Sequence, residues 1–343
     1  MKILVTGGAG FIGSHFVRTV IADEHSELAG AAVTVLDSLT YSGDLASLAG
    51  VARSPRFHFV QGDICDPELV DGLVPAHDTV VHFAAETHVD RSIAAGCVFG
   101  RTNVLGTQQL LESAVRHRID RFVQVSTDEV YGSIPHGSWS ETAPLAPNSP
   151  YSATKAGADL LALAYHRTHG LPVTVTRGSN TYGPYQFPEK LIPFFVTNLL
   201  DGRPVTLYGD GANVRDWLHV DDHVRGVVLA LVAGRAGEAY NVGGGHELSN
   251  RELTDRLLRA CGADWDSVVR VPERKGHDLR YSLDTGKIEA ELGFAPRVPF
   301  DEGLAATVRW YRANRDWWSA AKRRGGGVPE PGVGVPTPLG GRP

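Results

Sequence analysis

Lysine is nearly missing from this chain. Six lysines (Lys2, Lys155, Lys190, Lys275, Lys287 and Lys322) stand among 33 basic residues, the rest being arginine, so each lysine invites a question about its role. Cysteine is scarcer still. Cys65, Cys97 and Cys261 are odd in number and form no C-x-x-C pair, which argues against a disulfide framework or a zinc knuckle and fits a reducing cytoplasm. No apolar run approaches the roughly 18 residues of a membrane-spanning helix. An excess of positive charge is lacking too. Against 39 acidic residues the net charge is −6, which gives no global attraction to nucleic acid or to an anionic membrane. The opening Met1-Lys2-Ile3-Leu4-Val5 starts like a signal peptide, but breaks at Gly7-Gly8.

What is present reads as an ordinary globular chain. Its 343 residues are 42% hydrophobic and 21% charged, which is enough for one large domain or two. Short apolar runs at 3–6, 33–37, 58–61, 79–83, 121–126 and 173–177 read as strands, with helical patterns at 11–22, 90–116 and 152–168 between them. Strands that are apolar on both faces and alternate with helices predict an α/β fold: a doubly wound parallel Rossmann-type sheet. After residue 181, prolines at 184, 188, 193 and 204 break the rhythm, and 241–245 reads as a sharp bend. The expected organisation is a cofactor-binding domain over 1–180 and a smaller mixed α/β lobe over 181–320, with a return to the large sheet near 216–233. The Gly/Pro-rich segment 323–343 reads as a flexible tail.

The first strand runs into Gly7-Gly8-Ala9-Gly10-Phe11-Ile12-Gly13, spaced G-x-x-G-x-x-G. Such glycines permit a tight turn, close backbone approach to a pyrophosphate and close helix packing, with free N–H groups of the helix start facing the phosphates. Asp37 ends the second strand, where an acid binds ribose hydroxyls and repels a 2′-phosphate. With no arginine over 38–42, NAD is favoured over NADP. Asp63 and Ile64, after the third strand, are candidates for the adenine edge, although Asp63 reads equally well as a helix cap.

Tyr151 and Lys155 lie four apart at a helix start and share a face. A lysine there, or the positive ring of oxidised NAD, lowers the phenol pKa so that it takes a proton from an alcohol. Thr127, Asp128 and Glu129 follow the fifth strand. Two carboxyls beside a Tyr–Lys pair make sense where a carbon-bound proton must be removed and water expelled; solvated turn acids are the bland alternative. His219-Val220-Asp221-Asp222-His223 resembles a metal cluster superficially, but its aspartates read better as an N-cap and a first-turn acid, and no metal site is expected.

These motifs together resemble the extended short-chain dehydrogenase/reductases over roughly residues 1–320. More narrowly, the chain is similar to the nucleotide-sugar 4,6-dehydratases that act on dTDP-glucose. The carrying stretches are 84–93 (AAETHVDRSI), 126–132 (STDEVYG), 182–185 (YGPY), 188–193 (PEKLIP), 208–211 (YGDG), 215–217 (RDW) and 274–281 (RKGHDLRY). The resemblance implies a cycle. Tyr151 deprotonates the C4 hydroxyl as hydride passes to NAD, Glu129 removes the C5 proton, protonated Asp128 helps the C6 hydroxyl leave, and hydride returns to C6. Thr127 would align the sugar.

The resemblance further implies Ser38, Leu39, Thr40, Phe83, Ala84, Ala85 and Thr102 as cofactor contacts. For the nucleotide sugar it implies Thr87, Asn180, Lys190, Leu191, Tyr208, Arg215, Asn250, Arg274 and His277, with Arg215 and Arg274 on the diphosphate. It also implies a homodimer built on helices 90–116 and 152–168. Two departures stand out: Thr181 where the family usually has a second asparagine, and Glu273 before Arg274 where aspartate is commoner. A 4-epimerase, a decarboxylase or a silent NAD-sensing protein remain as alternatives on the same fold.

Overall fold

The computed structural model describes residues 1–274 and 276–324. Its strands are β1 (Lys2–Thr6), β2 (Ala32–Asp37), β3 (Phe57–Gln61), β4 (Thr79–His82), β5 (Arg121–Thr127), β6 (Val173–Gly178), β7 (Asn180–Tyr182), β8 (Val205–Tyr208), β9 (Val214–His219), β10 (Ala239–Val242), β11 (Glu247–Ser249) and β12 (Val268–Val271). Seven of them form one sheet in the order β10-β6-β5-β4-β1-β2-β3, parallel at every pairing. The order reverses at β1, between β4 and β2, and a ligand crevice belongs at the carboxyl ends of strands beside such a switch.

The interior strands are buried on both faces, with polar Thr174 and Thr176 of β6 buried as well, while the edge strand β3 exposes His58 and Gln61. Ile3, Val5, Val33, Val35, Val81 and Val123 pack on one face against helices Phe11–Ile21 and Val220–Ala233. Leu4, Leu36, Val80, Phe122, Val173 and Val175 pack on the other. A separate core of Tyr182, Ile192, Phe195, Trp217, Leu253, Leu257, Phe300 and Trp318 sits under the smaller sheets β11-β9-β7 and β12-β8. The second half of the chain thus builds its own apolar centre while lending helix Val220–Ala233 and strand β10 to the large sheet.

Three local readings change. Residues 90–116 are not one helix. The chain leaves helical geometry at Ala95 (φ −146°, ψ 61°) and then passes through a π-helical stretch, Gly100–Gly106, before helix Thr107–His117. Asn103 in the π stretch clamps the Glu86 backbone through both N–H and C=O and takes Thr154 as a third partner. Asn241 and Val242, read as part of a bend, are the end of β10, and the turn begins at Gly243. The cap before helix Val220–Ala233 is the imidazole of His219, not an aspartate. Asp222 instead accepts the backbone N–H groups of Arg297 and Val298. The last helix, Arg315–Arg324, runs through Arg324; the Gly/Pro-rich segment after it lies outside the described residues.

Candidate active site

The carboxyl ends of β1, β2, β4, β5 and β6 open into a cavity of about 480 Å³. At one end the Gly-rich turn is fixed by close contact. A Cβ on Gly13 would stand 2.3 Å from the Gly7 carbonyl oxygen, and one on Gly7 (φ +71°) would stand 2.5 Å from the Ala84 nitrogen. Asp37 is buried at this end. One carboxylate oxygen accepts the Ala9 N–H (2.9 Å) and the other the Leu39 N–H (2.8 Å), so the acid that ends β2 also holds the Gly-rich turn and its own following loop. Glycine cradle, buried acid and the start of helix Phe11–Ile21 fit the two phosphates and ribose of a dinucleotide.

Gly7, Gly10, Phe11, Ile12, Gly13, Asp37, Ser38, Thr40, Asp63, Ile64, Phe83, Ala84, Ala85 and Thr102 all border the cavity, whereas Leu39 meets it only through its backbone bond to Asp37. Asp63 caps no helix: it accepts the Cys65 N–H and pairs with Arg101 at 2.9 Å, and Asp66 caps the helix that follows.

The reacting end is assembled from β5 and helix Pro150–His169. Ser149 caps that helix and Pro150 starts it, which sets Tyr151 and Lys155 on the face turned toward β5. Lys155 Nζ donates to the Val125 carbonyl at 2.7 Å, and burial pushes its pKa down to about 8. The Tyr151 phenol is raised by burial and by Glu129, while the neighbouring Thr87 and Thr127 hydroxyls favour its ionised form. Lys155 is therefore anchored to the sheet at the carboxyl end of β5.

Asp128 and Glu129 meet different surroundings. Burial, Glu129 and Asp216 raise Asp128 well above the usual carboxylate range. Its Oδ1 accepts the Thr127 hydroxyl at 3.1 Å, and its buried Oδ2 has no partner among the described residues. Glu129 is raised by burial but offset by Lys190, Arg215 and Arg274. Lys190 and Arg274 offset Glu129, Asp216 presses on Asp128 and Arg215 lowers both, a difference that suits one protonated and one ionised member.

Thr87, Thr127, Asn180, Lys190 and Leu191 also line the cavity. Tyr208, Arg215, Asn250, Arg274 and His277 do not. Tyr208, Arg274 and His277 form their own cluster, with the Arg274 guanidinium 5.5 Å from the Tyr208 ring and the two aromatic rings edge to face. Glu273 accepts the backbone N–H of Arg274 and pairs with His277. Arg215 stacks on Tyr281, and Asn250 opens helix Asn250–Cys261 with its backbone bound to Asn213. Arg215 and Arg274 reach the cavity through their field on Glu129 rather than by lining it.

Several contributors escaped the sequence reading. Glu189 accepts both the Tyr41 hydroxyl (3.0 Å) and Arg91 Nε (3.1 Å), and Arg91 lies 3.8 Å over the Tyr41 ring. This ties the loop after β2 to the 84–93 and 188–193 segments. Glu189 and Arg91 lay inside quoted motifs, but Tyr41 carried no signal. Thr181 bonds to Nδ1 of buried His223 at 2.6 Å, a partner on a helix 42 residues away. His223 borders the cavity under Gly178, where a Cβ would come within 2.5 Å of the ring.

The family described as GDP-mannose 4,6 dehydratase matches residues 4–307. A dTDP-glucose 4,6-dehydratase of Streptomyces niveus is 62% identical over 94% of this chain and 96% of its own. One from an Actinoplanes strain is 63% identical over 93% of this chain and all of its own. The crystal structure of DesIV, a dTDP-glucose 4,6-dehydratase from Streptomyces venezuelae solved with NAD bound, superposes with a TM-score of 0.93 at 63% identity, covering 94% of this chain and all of that one.

Proposed function

The chain belongs to the family described as GDP-mannose 4,6 dehydratase, and on that premise we propose that it is an NAD-dependent dTDP-glucose 4,6-dehydratase, a hydro-lyase that yields dTDP-4-dehydro-6-deoxyglucose for deoxysugar synthesis. The observation that carries the reading is the divided pair Asp128 and Glu129 beside Tyr151. A 4-epimerase needs the Tyr–Lys pair but has no work for two carboxyls in opposite protonation states.

Bound NAD would supply the reversible hydride acceptor for C4 and C6. The remaining work falls to side chains of this protein. Tyr151 takes the C4 hydroxyl proton, and Lys155, held on the Val125 carbonyl, fixes the local charge and the helix face. The resulting 4-ketone acidifies C5, and Glu129, whose burial is partly offset by Lys190, Arg215 and Arg274, removes that proton. Asp128, kept protonated by burial and by neighbouring acids, donates to the departing C6 hydroxyl. Lys190 Nζ, bound to the Thr87 hydroxyl at 3.1 Å, supports the sugar end, with Asn180 and Leu191 beside it. Arg215, Arg274, His277, Tyr208 and Asn250 form the nucleotide end.

The same reading includes a cofactor domain over 1–180 with a sugar-nucleotide lobe over 181–320, cytoplasmic work, and a homodimer. Exposed Val98, Leu105 and Leu160 on the 90–116 and 152–168 segments support the last. The test is incubation of purified protein with dTDP-glucose deuterated at C4, without added NAD. Loss of one water with deuterium at C6 is the expected product. Unchanged mass with inversion at C4 would make the protein an epimerase and remove Asp128 and Glu129 from their roles.

A further inference from the structure

Counting protons through the reaction leaves an imbalance that the protein must repair. The C4 hydroxyl proton ends on Tyr151. The C5 proton goes to Glu129 and comes back to C5. The proton held by Asp128 leaves with the C6 hydroxyl as water. The sugar has lost only H₂O, yet Tyr151 now carries one proton too many and Asp128 one too few. Each must be restored before the next cycle.

We propose that the Thr127 hydroxyl carries this proton, accepting it from Tyr151 while passing its own to Asp128; the proposal rests on the dehydratase reading above. The geometry favours this route over others. Thr127 Oγ1 already donates to Asp128 Oδ1 at 3.1 Å, so the receiving half of the relay is formed. The same oxygen accepts the Glu129 N–H at 3.4 Å, which leaves a second lone pair for an incoming proton. Thr127 and Thr87 both share the cavity wall with Tyr151, but Thr87 is bound to Lys190, a donor that offers no onward acceptor. Solvent is a poor alternative: Asp128 is 2% exposed, and its free Oδ2 is fully buried. The relay breaks one O–H bond at Tyr151 and one at Thr127, forms one at each of Thr127 and Asp128, and needs no co-reactant.

The test compares wild type, Thr127→Val and Thr127→Ser at fixed pH and ionic strength while a small proton carrier, formate or imidazole, is raised in concentration. Wild-type turnover should not respond. Thr127→Val should be slow and should recover several-fold as carrier rises, and Thr127→Ser should again be indifferent to carrier. A Thr127→Val enzyme equally slow at every carrier concentration would overturn the relay and leave Thr127 as a positioning residue. A second measurement needs no variant: a single wild-type turnover followed with a pH indicator should release no proton. A burst of one proton per site followed by uptake would overturn the proposal. If wild type forms no dehydrated product at all, the functional reading falls, and the relay with it.

Discussion

Asp128 and Glu129 are neighbours in the chain, yet their surroundings differ: Asp216 and Glu129 press on the first, while Lys190 and Arg274 join Arg215, which offsets both, in steadying the second. The turn that follows β5 makes this possible. Thr127 caps it by accepting the Glu129 N–H, and Asp128 is buried beneath it.

The division predicts separable defects. Glu129→Gln should abolish exchange of the C5 hydrogen with solvent deuterium, while Asp128→Asn should keep that exchange and slow water loss by about 10²–10⁴-fold. NMR of the sugar in deuterated buffer reads both. Equal loss of exchange in the two variants would remove the assignment.

Asp128 also predicts a pH-dependent stability. Its folded pKa lies above the unfolded value of roughly 3.9. Its contribution is therefore complete below that value and is lost as pH rises through the folded pKa. Wild type should lose ground to Asp128→Asn as pH rises, so the Tm of the variant minus that of wild type should grow from acid to alkaline pH. A constant difference would mean that Asp128 is not held protonated.

Tyr151→Phe should keep its NAD, since the ring is buried and only its hydroxyl is lost, and should lose C4 oxidation by about 10²–10⁴-fold. Cofactor released on denaturation and product formation measure the two separately. Near-normal turnover would require another base.

Gly13→Ala places a methyl carbon 2.3 Å from the Gly7 carbonyl, against backbone that cannot give way cheaply. A cost of about 1–3 kcal/mol is expected, together with reduced NAD in the purified protein. Thermal melting and cofactor content check it.

Asp159 and Arg177 form a fully buried ion pair at 3.0 Å, and Arg177 also donates to the Tyr131 hydroxyl. Asp159→Asn leaves the guanidinium charge buried without its counterion, and should cost about 3–5 kcal/mol in denaturant unfolding. A loss under 1 kcal/mol would show that water or Tyr131 compensates.

The amino-acid order alone determined the parallel sheet, the Gly-rich turn ending against Asp37, and the Tyr151–Lys155 and Asp128–Glu129 pairs. Each of these is local: apolar runs, fixed spacings and caps act over a few residues, so the chain states them directly. Tertiary structure decided the rest. It broke the 90–116 helix at Ala95, held Glu86 with Asn103, joined Tyr41 to Glu189 across 148 positions, and set His223 beneath Thr181. It also gave Asp128 and Glu129 their different surroundings, through Asp216, Arg215 and Arg274 from the second half of the chain. Burial and long-range charge depend on what folds against a residue, and no spacing along the chain encodes that.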